Sequence, residues 1–342
     1  MDLVAPGAIA HAWQVMHPPV QPHDQGWLDV GDGHAVYWEQ CGHPGAPAAL
    51  FVHGGPGAGV TAQDRRWFDP RRWRTVLYDQ RGCGRSRAGS DVLHANTTAH
   101  LVHDMESLRR HLAIERWLLV GGSWGSTLAL AYAQAHPERV QGLVLRGVFL
   151  GTTAESDWLY TPDGAARTRP QAWRRLCTAL DLQSGQLLLD VMQTRLHANQ
   201  TAATTAALAW WRWEQDLMAA EAAGPDAAPP PDDHRALEMA RIGVHYARAR
   251  WFLPDSGLLA QTSRLHHLPC VIVQGGRDLV TPAAAARALH ATWPGAQLHE
   301  VPQAGHASTQ PDMAAALVQA IENADPNNPH HQEPRHGPLQ AH

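Results

Sequence analysis

The residues most able to do chemistry in this sequence are Ser123, Asp278 and His306, all of which fall in predicted loops. A serine hydroxyl attacks a carbonyl group only when a neighbouring base takes its proton. The base must itself be held in one tautomer by a third group. We predict that Ser123 is a nucleophile, that His306 is its base and that Asp278 orients the base.

The surroundings of Ser123 strengthen this prediction. A Gly-x-Ser-x-Gly motif, Gly121 to Gly125, follows the apolar run Trp117–Val120 and precedes a predicted helix. This strand–turn–helix context is the one that a nucleophile elbow requires, because small residues must flank a serine on so tight a turn. The chain order serine, aspartate, histidine is that of α/β-hydrolases and differs from the orders in chymotrypsin-like and subtilisin-like proteases.

A glycine-rich loop supplies the third element of such a site. The run His53-Gly54-Gly55-Pro56-Gly57 directly follows an apolar strand. Acyl transfer develops negative charge on the carbonyl oxygen, and glycine lets backbone N–H groups approach that oxygen closely. We expect an oxyanion hole made by Gly55, or Gly54, together with the backbone N–H of Trp124; the alternative is a simple Gly/Pro turn.

The elements needed to position these loops can be read along the chain. Short apolar runs alternate with amphipathic stretches, which predicts an α/β fold around a mainly parallel sheet. The predicted strands are Ala35–Gln40, Ala48–His53, Arg74–Asp79, Trp117–Val120, Leu143–Phe149, Cys270–Gln274 and Gln297–Val301. One predicted helix is capped by Thr97 or Thr98. Three others cover Ser126–Gln134, Pro282–His290 and Pro311–Asn323.

The pattern changes to Trp- and Ala-rich helical segments between Gly151 and Pro254, interrupted by Pro170 and by the stretch Gly224 to Pro231. We therefore predict an α/β-hydrolase core formed by residues 1–150 and 255–324, with an inserted helical cap at 151–254. The His-rich segment 325–342 is predicted to be a disordered tail.

Composition narrows the function classes. A net charge of −5 without a basic stripe argues against nucleic acid as a partner, and no apolar run is long enough for a membrane span. The first 25 residues lack the pattern of a signal peptide, so we expect a cytoplasmic protein. The four cysteines are far apart, which predicts reduced thiols. We predict no metal and no cofactor.

Several motifs resemble the proline iminopeptidase (prolyl aminopeptidase) family of α/β-hydrolases, and the likeness extends from about Val36 to the last predicted helix. These motifs are Tyr37-Trp38-Glu39-Gln40-Cys41-Gly42, His53-Gly54-Gly55-Pro56-Gly57, Asp79-Gln80-Arg81-Gly82, Gly121-Gly122-Ser123-Trp124-Gly125 and Leu145-Arg146-Gly147-Val148-Phe149. The resemblance implies a peptidase that removes an N-terminal proline from peptides.

The resemblance also implies substrate-binding residues. Glu214 matches a carboxylate of the family that binds the substrate amine, and Phe149 and Tyr160 match positions near the pocket. Arg146 is predicted to be a structural or substrate-orienting cation. The chain departs from the family at Gly243, where a second glutamate is typical, and at Thr281, where a cysteine is frequent. The loss of the second carboxylate is expected to weaken amine recognition.

Three alternatives remain open from the sequence. An esterase, amidase or acylase on the same scaffold is made plausible by Gly243. A non-catalytic binding protein of this fold is a second reading, against which the complete set of Ser123, Asp278 and His306 argues. A metal hydrolase is a third, but the sequence has no His-Glu-x-x-His motif.

Overall fold

The computed structural model describes residues 15–218 and 231–327. An eight-stranded sheet forms its centre, with the strand order β1-β2-β4-β3-β5-β6-β7-β8. The strands are β1 (Asp24–Gly31), β2 (His34–Gly42), β3 (Ala48–Val52), β4 (Arg74–Tyr78), β5 (Trp117–Ser123), β6 (Val140–Val148), β7 (Cys270–Gly275) and β8 (Ala296–Val301). The pairs from β4 to β8 are parallel, whereas β2 runs antiparallel to both β1 and β4. The predicted mainly parallel α/β fold is confirmed.

Helices connect and cover these strands. The α-helices of the described residues are α1 (Thr98–His111), α2 (Trp124–Ala135), α3 (Thr153–Tyr160), α4 (Pro170–Leu180), α5 (Leu188–Leu196), α6 (Gln200–Met218), α7 (Asp233–Arg248), α8 (Ala284–Thr292) and α9 (Pro311–Asn323). The predicted helical cap between β6 and β7 corresponds in sequence to α3 through α7. Most of the Pro-rich stretch from Gly224 lies outside the described residues, and Pro170 begins α4.

The central strands are buried because apolar residues occupy both of their faces. Leu50 and Val52 of β3 and Leu119 of β5 have no solvent-accessible side chain, as expected for parallel strands covered by helices on both sides. One hydrophobic cluster joins the sheet to α1, α2 and the helices that follow β6, and a second cluster packs α9 against the opposite face. The carboxyl ends of β3, β5, β7 and β8 therefore project from a rigid platform.

Two features at the chain ends differ from the sequence prediction. Strand β1 was not predicted; it forms a hairpin with β2 through Asp32 and Gly33, both of which have positive φ angles. Asp325 falls in the segment predicted to be a disordered tail, and for this residue the prediction is wrong: Asp325 is 1% exposed and its carboxylate lies 2.7 Å from the guanidinium of Arg72. Residues 328–342, with the tail histidines, lie outside the described residues.

Candidate active site

Asp278 and His306 lie in the loops that follow β7 and β8, and the structure brings their side chains together. Oδ2 of Asp278 is 2.7 Å from Nδ1 of His306. Because the carboxylate is an acceptor, Nδ1 carries the proton and donates it to this bond, which leaves the Nε2 lone pair free to act as a base. Both residues are buried, at 4% exposure each.

The second oxygen of Asp278 is held by the turn that follows it. Oδ1 accepts hydrogen bonds from the backbone N–H groups of Val280 (2.9 Å) and Thr281 (2.8 Å). The Thr281 hydroxyl donates to Oδ2 at 2.9 Å. Burial alone would raise the pKa of Asp278, but the neighbouring His306 and these hydrogen bonds hold it below its ordinary value. The carboxylate is thus charged and fixed in orientation at neutral pH.

Ser123 ends β5 and immediately precedes α2. Its backbone has φ 58° and ψ −127°, a left-handed conformation that is strained for a serine and that turns its side chain away from the strand. A Cβ atom at Gly121 would collide with the carbonyl of Gly125, and one at Gly125 would collide with the carbonyl of Val52. Only glycine therefore fits on either side of this turn, as the motif predicted.

The first turn of α2 is tied to the chain beyond β6. The Ser126 hydroxyl donates to the Ser123 carbonyl at 2.6 Å and accepts from the Phe149 backbone N–H at 3.0 Å. The Thr127 hydroxyl donates to the Phe149 carbonyl at 2.6 Å. These bonds place Phe149, a predicted pocket residue, directly beside the serine turn.

The glycine-rich loop after β3 passes next to Ser123. A Cβ atom at Gly54 would lie 3.5 Å from the Ser123 Cβ atom. The Gly54 carbonyl accepts hydrogen bonds from Nδ1 of His53 (2.9 Å) and from the Ala58 N–H (3.3 Å). Helix α7 covers this loop, because a Cβ atom at Gly57 would be 3.3 Å from Cα of Met239.

Arg146 of β6 lies between the strand that carries Ser123 and the loop that carries His306. Its Nη1 group donates to the His306 carbonyl, and its guanidinium lies against Gly122, where an added Cβ atom would be 2.6 Å from Nη2. These contacts are with the main chain of the site. The role of Arg146 as a structural or substrate-orienting cation stays a prediction.

Glu214 of α6 lies among aromatic side chains. Tyr160, at the end of α3, stacks on Trp210 with ring centroids 4.9 Å apart and an interplanar angle of 22°. Burial raises the pKa of Glu214 to about 7, although a hydrogen bond from Trp210 favours the charged form. Among residues 15–218 and 231–327, no arginine, lysine or histidine forms an ion pair with this carboxylate.

Gly243 of α7 faces the same aromatic cluster. A Cβ atom there would lie 3.6 Å from Nε1 of Trp210, an ordinary van der Waals distance. Three residues later on α7, Tyr246 contacts Trp124 with ring centroids 4.9 Å apart. Three residues span about 4.5 Å along a helix axis, so the Glu214 cluster and the serine turn are neighbours along α7.

The sequence did not identify the side chains that hold the glycine-rich loop and the serine turn in place. Gln80, in the loop after β4, bonds to both His53 and Trp124, and Ser126 bridges the serine turn to Phe149. In the sequence, Gln80 stands out only as part of the motif Asp79-Gln80-Arg81-Gly82. No spacing rule relates residues 27 and 44 positions apart, so their contact becomes visible only in the folded chain.

Known proteins with similar sequences have the fold that the geometry indicates. A model of the alpha/beta hydrolase fold matches residues 47–309. A proline iminopeptidase from Arabidopsis thaliana is 42% identical over 312 residues, covering 90% of this chain and 82% of the relative. One from Neisseria gonorrhoeae is also 42% identical, over 91% of this chain and 99% of the relative. The chain belongs to the proline iminopeptidase family.

Solved structures agree on the fold. The crystal structure of a proline iminopeptidase from Mycobacterium smegmatis superposes with a TM-score of 0.61 at 19% identity, covering 88% of this chain and 99% of that one. At this identity the likeness supports the α/β-hydrolase fold alone. Within the described residues, no helix has both the length and the apolar character of a membrane span, and no cluster of His, Cys, Asp and Glu side chains has a metal-binding arrangement.

Proposed function

We propose that this protein is a serine aminopeptidase that releases an N-terminal residue, preferentially proline, from peptides. The observation that carries the proposal is Glu214, a carboxylate packed among aromatic side chains without a cationic partner in the described chain. Glu214 as a residue is only partly buried, but its carboxyl group is sufficiently removed from water for its pKa to be raised, and a carboxylate in such a place is stabilised when it meets a positive charge. The protonated imino group of an N-terminal proline supplies that charge, and Trp210, Tyr160 and Phe149 offer apolar surface to its ring.

The short distance along α7 supports this substrate class. In an N-terminal residue, only one carbon atom separates the amine nitrogen from the carbonyl carbon, so an aminopeptidase needs its amine site close to its nucleophile. Gly243 of α7 faces the Trp210 indole beside Glu214, and Tyr246 contacts Trp124 beside Ser123. A substrate held by Glu214 would present its first carbonyl group near the serine turn.

The proposed reaction proceeds by acyl transfer. The Ser123 hydroxyl attacks the carbonyl carbon and Nε2 of His306 takes its proton, while the Asp278 carboxylate stabilises the resulting imidazolium. The backbone N–H groups of Gly55 and Trp124 stabilise the oxyanion. Collapse breaks the peptide bond, and His306 protonates the leaving amine. Water then attacks the acyl-enzyme with His306 as base, which releases proline and restores Ser123.

The substrate class is tested by steady-state hydrolysis of three naphthylamides: those of proline, of alanine and of N-acetyl-proline. We expect the free proline compound to be preferred, with the Ser123→Ala variant as the blank. Better turnover of the N-acetylated compound would replace this proposal with an acylase or amidase. If none of the three naphthylamides is hydrolysed but fluorophosphonate still labels Ser123, the protein is a serine hydrolase of another specificity.

The role of Glu214 is tested by Glu214→Gln. We expect kcat/KM for proline naphthylamide to fall about 100-fold, because removing one partner of a desolvated charge pair costs a few kcal/mol. The rate of fluorophosphonate labelling should stay unchanged, since that reaction needs no amine site. Glu138→Gln is the matched control, as the Glu138 side chain is 60% exposed. An equal effect of both variants on kcat/KM would remove Glu214 from the amine site.

A further inference from the structure

Gln80 lies in the loop after β4 and bonds to both segments that carry the proposed oxyanion donors. Its side chain is 2% exposed. Nε2 donates to the His53 carbonyl at 2.8 Å, and Oε1 accepts from the Trp124 indole N–H at 2.9 Å. The indole can only donate and the carbonyl can only accept, so the orientation of the Gln80 amide is determined by its partners.

The backbone of Gln80 also binds the ring of His53. Its N–H donates to Nε2 of His53 at 2.9 Å. Burial lowers the pKa of His53 to about 4, so the ring is neutral at pH 7. The Gly59 N–H also approaches Nδ1, at 3.2 Å, but the shorter contact of the Gln80 N–H with Nε2 and the Gly54 carbonyl beside Nδ1 assign the single proton to Nδ1. Nδ1 is 2.9 Å from the Gly54 carbonyl and donates to it.

The Nδ1 bond fixes the direction of the peptide between Gly54 and Gly55. In a trans peptide the C=O and N–H groups point in opposite directions. Since the Gly54 carbonyl points towards the buried His53 ring, the Gly55 N–H points away from it. This loop passes beside Ser123, with 3.5 Å between the Ser123 Cβ and a Cβ atom built on Gly54. Within residues 15–218 and 231–327 the Gly55 N–H donates to no protein group, which leaves it available to a substrate oxygen.

Trp124 is constrained from two sides. Gln80 holds its indole N–H, and the rings of Tyr246 and Trp251 pack against it with centroids 4.9 and 5.9 Å away. The ring is 1% exposed and belongs to the residue whose backbone N–H is the second proposed donor. A side chain fixed in this way restricts the rotation of its own backbone amide.

We propose that Gln80 is a positioning residue that sets the separation of the two oxyanion donors by linking the Trp124 indole to the His53 main chain. This inference rests on the proposed serine-hydrolase mechanism. Gln80 touches no substrate; it acts through Trp124 and through the loop that contains Gly55. Its contribution is therefore expected mainly in the transition state, where charge develops on the carbonyl oxygen.

The test compares Gln80→Leu with the wild-type enzyme. We expect kcat to fall about 10- to 100-fold with KM within about twofold, because misplaced oxyanion donors weaken transition-state binding more than substrate binding. Affinity for a proline boronic acid, whose tetrahedral adduct fills the oxyanion hole, should fall by a similar factor. Inhibition by free proline, which forms no oxyanion, should not change.

Gln134→Leu is the matched control. Gln134 is also buried, at 6% exposure, and its Nε2 donates to the Leu258 carbonyl at 2.7 Å. It lies near the far end of α2, about 15 Å along the helix from Trp124. This variant should lose thermal stability to a similar degree while its kcat remains that of the wild type. Equal loss of kcat in both variants would show a general effect of stability and overturn the inference.

A second variant, Trp124→Phe, removes the indole N–H but keeps the ring and the backbone donor. If Gln80 acts through the indole, the effects of Gln80→Leu and Trp124→Phe on kcat will be less than additive. Full additivity would contradict the link. If Gln80→Leu fails to fold, Trp124→Phe alone decides: its kcat should fall with KM nearly unchanged, and a kcat equal to that of the wild type would contradict the inference.

Fluorophosphonate labelling separates this inference from the proposed substrate. In that reaction Ser123 Oγ forms a bond to phosphorus, fluoride leaves, and the serine proton passes to His306, while the phosphoryl oxygen occupies the oxyanion hole. We expect labelling of Gln80→Leu to be about tenfold slower than that of the wild type. Wild-type labelling without proline naphthylamide turnover would refute the substrate alone. Unchanged labelling of Gln80→Leu would refute the inference alone.

Discussion

At the scale of single residues, the environment of Glu214 makes amine recognition depend on pH. Burial raises the pKa of this carboxyl group to about 7. A carboxyl group with a raised pKa is neutral at a pH where an ordinary glutamate is charged. The charged form, which the ammonium group of a substrate requires, is therefore present above about pH 7 and lost as the pH falls below it.

We predict a corresponding limb in the pH profile. The kcat/KM for proline naphthylamide, divided by the fluorophosphonate labelling rate, should fall as the pH drops from about 7.5 to about 5, approaching tenfold per pH unit. The division removes the ionisation of the base that both reactions share. In Glu214→Gln the same ratio should be low and flat. A ratio independent of pH in the wild type would show that Glu214 does not titrate in this range.

At the scale of elements, the end of α1 shows how local conformation decides the effect of a substitution. Ala113 follows the helix with φ 51°, a left-handed conformation that costs an L-residue about 1–2 kcal/mol. Its N–H donates to the Arg110 carbonyl at 3.1 Å, and the N–H of Ile114 donates to the Arg109 carbonyl at 3.0 Å. This hydrogen-bond pattern is the Schellman motif, whose left-handed position is usually glycine.

We predict that Ala113→Gly raises the free energy of unfolding by about 0.5–1 kcal/mol, because glycine adopts this conformation without steric cost. The matched control is Ala315→Gly, which makes the same substitution at an exposed position inside α9. That variant should lose about 1 kcal/mol, since glycine in a helix interior loses more conformational freedom than alanine. Urea unfolding measures both; stabilisation in neither or in both variants would contradict the argument.

Elements with a strong local signal were predicted well from the sequence. Helix α9 has the predicted bounds, and α1 begins after Thr97, whose side chain accepts from the His100 N–H. The hairpin strand β1 was missed because its polar and glycine residues conceal the alternation. The Asp32-Gly33 dipeptide at its turn is a recognised hairpin signal and would have located it.

The residues of the site also differ in whether a local sequence pattern reveals them. Residues in motifs next to strands, such as Ser123 and His306, could be proposed from local patterns, and the structure places His306 against Asp278. The hydrogen bonds of Gln80 join three segments, and the position of Gly243 opposite Trp210 depends on the packing of two helices. Such contacts depend on the packing of distant segments, which no pattern in one segment encodes.

At the scale of the whole molecule, the four cysteines are dispersed and free. Cys41, Cys83 and Cys270 are buried, whereas Cys177 of α4 is only partly covered. Burial raises the pKa of all four thiols, to about 12 for Cys41. Because the thiolate is the reactive form, native thiols should react slowly with electrophiles at neutral pH.

We predict that the native protein reacts with iodoacetamide at Cys177 alone and keeps its activity, whereas all four thiols react after unfolding in guanidinium chloride. Mass spectrometry of the alkylated protein counts the modified residues. Cys177→Ser is the control and should show no modification in the native state. Rapid reaction of a second native thiol would mean that the core opens more readily than its burial indicates.

Strands β6 and β7 are hydrogen-bonded neighbours in the sheet, although helices α3 to α7 lie between them in sequence. The sheet therefore sets no length for the connection, and each doubling of such a connection adds only about 0.6 kcal/mol of closure entropy. The consequence is evolutionary. Lineages can lengthen, shorten or exchange this segment without shifting the register of any strand. The strand ends that carry Ser123, Asp278 and His306 would keep their places in the sheet while the helices that contain Glu214 and Gly243 change.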